Sequence, residues 1–471
     1  MITFLLSIAL LLGGYFIYSR IIERIFGIDK NRATPAITVN DGVDYVPLPW
    51  YKIFLIQFLN IAGLGPIFGA IAGALWGPVA FVWIVLGNIF AGAVHDFFSG
   101  MISVRKNGAS ITEIVGDYMG LQVKQLMRAF VVIMMIMVGA VFVTGPAKIL
   151  DGLTNNTLGT TFWAAIIFFY YILATLLPID KIIGKIYPFF GFALFFMAIS
   201  IFIAMIFKNV PIPEISLLNY HYEPDKYPIY PLMFISIACG AISGFHSTQS
   251  PLMARCITNE SYGRRVFYGA MVAEGLVALI WAAIGMSFWG GIKELNQIMI
   301  QNKGNAAWAV NEISYSLLGT FGGILAILGV VAAPITSGDT ALRSARLIIA
   351  DFLKLDQKPI KNRLLIGIFI FSATFLLTLT NFDIIWRYMA WSNQTLATLV
   401  LWTITIYLVA NKKFYLITLI PAIFMTAVTS TYLFIAPETF ALKSNLAYLL
   451  GLLLTSLSVI LFFLRKKYFK P

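Results

Sequence analysis

Unbroken apolar runs of about 20 residues recur along the whole chain, separated by short polar breaks. A helix rising ~1.5 Å per residue needs a run of that length to cross the ~30 Å hydrocarbon core of a bilayer. Transmembrane β-strands would read as segments of about 10 residues with alternating polarity, a pattern absent here. The fold class is therefore an all-α polytopic membrane protein. Composition agrees, with 59% hydrophobic and 11% charged residues, against about 25% charged in ordinary soluble proteins. A soluble globular chain, a disordered chain and a disulfide scaffold are all excluded, the last because there are two cysteines in 471 residues.

The spacing predicts thirteen transmembrane helices, near residues 2–19, 53–74, 79–103, 126–148, 161–178, 186–207, 231–253, 265–290, 313–342, 364–381, 384–410, 414–435 and 445–464. An odd number puts the termini on opposite sides. Assigning alternate loops to one face gathers 26 of the 33 Lys and Arg there, including Lys181, Lys358 and Lys470, and leaves Lys148, Lys208, Lys226, Lys293, Lys303, Arg387 and Lys443 on the other. The positive-inside rule makes the richer face cytoplasmic, with the N-terminus outside and the C-terminus inside. The net charge of +12 thus orients helices in a lipid bilayer and implies no nucleic-acid partner. Arg20 and Arg24 follow the first span with no cleavage-like site, so it reads as a retained helix. The breaks at 20–52 and 208–230 are too short for a separate core, and residues 1–471 form one membrane domain. Cys239 and Cys256 stand too far apart along a helix to pair, and read as free thiols.

Two spans carry residues unsuited to a straight helix. The second reads Asn60-Ile-Ala-Gly63-Leu-Gly65-Pro66-Ile-Phe-Gly69, and the seventh reads Cys239-Gly240-Ala-Ile-Ser243-Gly244-Phe-His246-Ser247-Thr248-Gln249-Ser250-Pro251. Proline removes a donor and glycine tolerates unwinding; non-helical backbone survives at membrane depth only where protein or a water-filled cavity covers it. Five spans start at each break, over 53–207 and 231–410. An odd number per repeat inverts the second relative to the first, as in secondary transporters. One extra helix with its loop occupies 1–52, and two with a basic tail occupy 414–471. Half-helix N-termini offer amides and a positive dipole end to an anion. The expected substrate-binding residues are accordingly Gly63, Gly65, Pro66, Gly244, His246 and Ser247, with Gln249 beside them.

Ionisable residues within spans are few, and each is a functional candidate. His95 and Asp96 close the third span and either relay a proton or bond two helices. His246 contacts an anionic group, carries a coupled proton, or is a satisfied core histidine. Glu274, Asn393 and Gln394 line the pathway or bridge helices. In the ninth span, Ala333-Pro334-Ile-Thr336-Ser337-Gly338-Asp339-Thr340-Ala-Leu-Arg343 either offers hydroxyls and free carbonyls to a cation or places a Thr and a Ser to cap the cytoplasmic half of a kinked helix. Asp339 there is a proton carrier or the i,i+4 ion-pair partner of Arg343.

The stretches Gly69-Ala-Ile-Ala-Gly-Ala-Leu-Trp76-Gly77-Pro78 through His95-Asp96-Phe-Phe-Ser-Gly100, Gly244-Phe-His246-Ser-Thr-Gln-Ser-Pro251 and Thr336-Ser-Gly-Asp339-Thr-Ala-Leu-Arg343 resemble the carbon starvation protein A (CstA) family. The resemblance runs from about residue 20 to 410, to a shorter version of the family. It implies a bacterial inner-membrane uptake carrier for a small-molecule substrate, peptide or pyruvate. That family is similar in turn to LeuT-type carriers, whose core is ten helices in two inverted five-helix repeats. Their second sodium site carries over to the carbonyls of Leu59, Ala62 and Ala333 and the hydroxyls of Thr336 and Ser337, with sodium or a proton as coupling ion and no other cofactor or metal. A membrane-embedded enzyme built on His95, Asp96 and His246 is the alternative, together with a nutrient sensor. No HExxH, GxSxG or Walker A motif supports an enzyme, and three histidines on separate stretches make a poor zinc signature.

Overall fold

The computed structural model describes residues 1–154, 157–176, 183–357, 359–380 and 382–469. Lys181, Lys358, Lys470 and the end of the expected fifth span lie outside the described residues. Among them, nine helices are long and apolar enough to cross a membrane, or up to eleven if each of two bent pairs is one span. The expected thirteen is not reached by that measure. The fifth span is the shorter helix Thr160–Leu176, and the seventh is broken mid-way into 229–236 and His246–Ala254.

In chain order, α1 is Ile2–Phe26, α2 Trp50–Ala62, α3 Gly65–Ala74, α4 Val79–Arg105, α5 Ile111–Met119 and α6 Leu121–Leu153. They are followed by α7, Thr160–Leu176, α8, Ile183–Phe207, α9, 229–236, and α10, His246–Ala254. The remainder are α11 Glu260–Ser287, α12 Ile292–Gln301, α13 Ala306–Leu325, α14 Ile327–Leu353, α15 Ile360–Thr378, α16 Phe382–Ala410, α17 Leu416–Ile435 and α18 Ser444–Arg465. Burial sorts them into layers. The most apolar windows of α4, α11 and α16 are 83%, 89% and 83% buried, whereas those of α1, α15 and α18 are 28%, 28% and 22% buried and show Leu, Ile and Phe outward. An apolar outer surface of this kind suits lipid, the solvent in which such side chains need no cover. Inside, α14 packs along α6, α2 along α8 and α10 along α4.

Both interrupted stretches are broken as expected, and each break has a local cause. Helix α2 ends at Gly63, whose φ of 43° and ψ of −135° suit glycine, and α3 leaves at a 53° bend. Between α9 and α10 the chain is non-helical from Ile237 to Phe245, with Gly240 at φ +92°. The two breaks meet. A Cβ built on Gly65 would lie 2.2 Å from both Cβ and Sγ of Cys239, so the backbones approach as only a glycine permits. Cys239 and Cys256 are free thiols.

Candidate functional site

Unwound backbone in a membrane interior must find partners for its polar groups, and four side chains supply them at the second break. Trp83 Nε1 donates to the carbonyl of Ile237 (3.0 Å), Asn88 Nδ2 to that of Gly240 (2.8 Å) and Gln394 Nε2 to that of Ile242 (3.0 Å). Asn393 Oδ1 accepts from the Phe245 amide at 2.6 Å, and its carbonyl accepts from the Gly244 amide at 3.2 Å. Asn393 and Gln394 therefore bridge helices. The amides of His246 and Ser247 bond within the turn, to Ser243 and Gly244, and the Ser247 hydroxyl donates to the Gly244 carbonyl at 2.6 Å. In this conformation the amides from Gly244 to Ser247 are taken up within the protein. Gln249 Nε2 donates to Thr248 Oγ1 at 2.8 Å. Gly65 lines a cavity of about 30 Å³, shared with Gly69, Phe142, Cys239, Phe245, Trp386 and Asn393, a volume the size of about one water. Gly63 sits against Phe142 and Ser337, and Pro66 is buried.

The ionisable residues of three helices converge beside that break. The carboxylate of Asp96, on α4, accepts from Nδ1 of His95 at 2.8 Å and from Nδ1 of His246, the first residue of α10, at 2.9 Å. His246 Nε2 faces Glu274 Oε2 of α11 at 3.6 Å. All four side chains are fully buried. Held at Nδ1, the His246 ring has its other nitrogen aimed at Glu274 and Cys239, and the ligand atoms of these three groups lie within 4.8 Å of one another, close enough to surround one cation. Neither Glu274 oxygen has a hydrogen-bond partner among the described residues. A buried carboxyl left that way costs several kcal/mol, roughly, unless a proton or cation satisfies it. His95 and His246, on separate helices, meet on one carboxylate. His221 lies apart, packed against Trp76, Tyr222 and Tyr227. Glu274 stands out in the sequence as an acid within a span; its place at the end of this chain of groups needed the packing of α11 on the break.

The oxygens named in the ninth span also come together. Ser337 Oγ lies 3.0 Å from the Leu59 carbonyl and 2.9 Å from that of Ala333, and Thr336 Oγ1 donates to the Ala333 carbonyl at 2.8 Å. Ala62 ends α2 at the break, one turn beyond Leu59. Asp339 Oδ2 accepts from Tyr187 Oη of α8 at 2.7 Å, and Arg343 also approaches Asp44, at 3.3 Å.

Asp44, from the 20–52 loop, is buried between Arg343 and Arg346, which approach to 3.3 and 3.9 Å. Burial pushes its carboxyl up, but the charges of Arg343, Arg346 and Arg255 outweigh that and hold it below the ordinary value. Sequence reasoning misses this ion pair because a loop acid among basic residues carries no signal of where it docks.

This bundle, with two broken helices crossing at its centre, has the LeuT-type transporter fold. A sodium-coupled sialic acid symporter, caught substrate-bound and outward-open, superposes over 97% of this chain and 97% of its own with a TM-score of 0.54 at 13% identity. MhsT in complex with L-phenylalanine does so over 88% and 98% (TM-score 0.53, 14% identity). A variant of the manganese transporter of Eremococcus coleocola does so over 92% and 99% (TM-score 0.54, 13% identity). The chain belongs to the carbon starvation protein CstA family, whose model matches residues 1–155, 151–317 and 304–432. Among curated relatives, an uncharacterized membrane protein of Haemophilus influenzae is 44% identical over 61% of this chain and 91% of its own. The peptide transporter CstA of Campylobacter jejuni is 29% identical over 58% of this chain, and the pyruvate/proton symporter BtsT of Escherichia coli 28% identical over 58%. The matched region spans about half the length of those last two, 48% and 47%. The named relatives and the structural neighbours are transporters, not enzymes.

Proposed function

We propose that this protein is a secondary active transporter that imports a small carboxylate-bearing solute, pyruvate or a short peptide, across the bacterial inner membrane by proton-coupled alternating access. The observation that carries the coupling is the buried series His95, Asp96, His246 and Glu274, which joins α4 and α11 to the first residue after a helix break. A proton gained by Glu274 or His246 alters the bonds that fix the start of α10, and so couples charge to the packing of the two breaks. Two relatives, named for peptide transport and for pyruvate/proton symport, support the substrate class. In this reading residues 53–207 and 231–410 are the inverted repeats, the N-terminus is outside, and the substrate lies against Gly65, where the broken helices cross.

A second reading, sodium coupling, is favoured by the Leu59 and Ala333 carbonyls meeting at the Ser337 hydroxyl, with the Thr336 hydroxyl on the same Ala333 carbonyl; hard oxygen donors suit an alkali cation. Uptake of labelled pyruvate and of di- and tripeptides into proteoliposomes separates the readings. Accumulation driven by an imposed proton gradient without sodium is expected. Accumulation only with a sodium gradient moves coupling to Ser337, and gradient-independent equilibration of every solute rejects both.

A further inference from the structure

Seven Lys and Arg fall on the side expected to face outward, and the positive-inside rule gives them no orienting role. Three of them, Lys148, Lys303 and Arg387, line one cavity of about 360 Å³. They arrive from separate elements: the last turns of α6, the loop after α12 and the first turns of α16. All three side chains are exposed, and no carboxylate lines the cavity among the described residues. Asp383 precedes Arg387 by four residues and its side chain lies outside the described residues; the described lining residues carry three positive charges and no carboxylate. Its inner wall is aromatic. Trp386 stacks on Phe382 with centroids 5.9 Å apart and meets Phe68 at 6.2 Å, and Lys148 Nζ sits 4.4 Å from the centre of the Phe382 ring. Trp386 also lines the small cavity where the breaks cross. The basic chamber and the crossing point are therefore separated by one tryptophan and its neighbours.

Like charges gathered in a concavity repel, and low-dielectric walls focus their field outward, where it concentrates anions. We propose that this chamber is a capture site for anionic solutes, monocarboxylates or the C-terminal carboxylate of a short peptide, loaded before the Trp386–Phe68 contact parts to admit them. The proposal rests on the transporter reading for the passage inward after capture, but the capture itself is testable without transport.

Ala306, which lines the chamber, is changed to Cys, and its modification by an anionic sulfonatoethyl and a cationic trimethylammonioethyl thiosulfonate reagent is timed on the purified full-length protein. Relative to the same reagents on a small free thiol, the anionic one is expected to react about tenfold faster at low ionic strength. That preference should vanish in about 1 M salt, and in the Lys148→Gln, Lys303→Gln, Arg387→Gln background. Equal rates, or a cationic preference, overturn the chamber as an anion site. The second arm is pyruvate and dipeptide uptake, where the triple variant should raise KM about tenfold and keep Vmax; an unchanged KM overturns the capture role. Because the three side chains are exposed, their neutralisation leaves the buried packing in place. Anionic preference in a protein that takes up neither solute sustains the chamber and rejects the transporter reading.

Discussion

If the crossing of the two broken helices at Gly65 and Cys239 organises the molecule, a single methyl group placed there should disrupt it. Gly65 is not among the glycines with positive φ, so Gly65→Ala introduces no backbone strain, and the contact alone is tested. The new Cβ would lie 2.2 Å from Cβ and Sγ of Cys239, whereas ordinary contact begins at 3.4 Å. One segment must therefore retreat by more than about 1 Å, and overpacking of this kind costs about 1–3 kcal/mol. The remedy is also in the geometry. Cys239→Gly removes both offending atoms and leaves the Cys239 Cα 3.6 Å away, an acceptable distance. The double variant should recover most of the loss, less up to about 1 kcal/mol for the added glycine, with a coupling of about 1–3 kcal/mol across the cycle. Apparent unfolding midpoints in detergent and initial uptake rates in proteoliposomes measure the four proteins. Additive losses, or a Gly65→Ala protein as stable and active as the parent, would refute the crossing.

Three further outcomes are expected. Asp96→Asn removes the carboxylate shared by His95 and His246 and should abolish proton-driven uptake while costing roughly 2–4 kcal/mol of stability; gradient-driven uptake at the parental rate would remove the cluster from coupling. Ser337→Ala deletes the hydroxyl between Leu59 and Ala333, and under proton coupling should lower stability by about 1 kcal/mol with proton-driven uptake intact, whereas loss of a sodium-induced rise in the unfolding midpoint would assign the cation there. Asp44→Asn removes the carboxylate that Arg343 and Arg346 share and should cost about 3–5 kcal/mol near neutral pH. Because Asp44 has its folded pKa lowered from 3.8, its stabilisation is full above that value and is lost as pH falls through the lower folded one. Thermal unfolding from pH 7 down to about 3 should therefore steepen at the acid end for the parent and stay flatter for the variant.

The features that the sequence determined by itself come from rules that act along the chain. Helix length against bilayer thickness made this a helical membrane protein, glycine and proline at 63–66 and 239–251 marked both breaks, and a scarcity of charge within spans picked out His95, Asp96, His246, Glu274 and Asp339. Spacing also placed Thr336 and Ser337 one turn from Ala333, where they remain. Which of these groups touch was decided by tertiary packing, because burial removes water as the alternative partner and each polar atom must take whatever a neighbouring helix presents. That is why Asp339 bonds Tyr187 and Arg343 reaches Asp44 on a distant loop, and why Asn393 closes amides that local geometry alone would leave open. It is also why two histidines 151 positions apart meet on Asp96: a helix fixes the direction of its side chains, but only the packing of α4, α10 and α11 sets what lies in those directions.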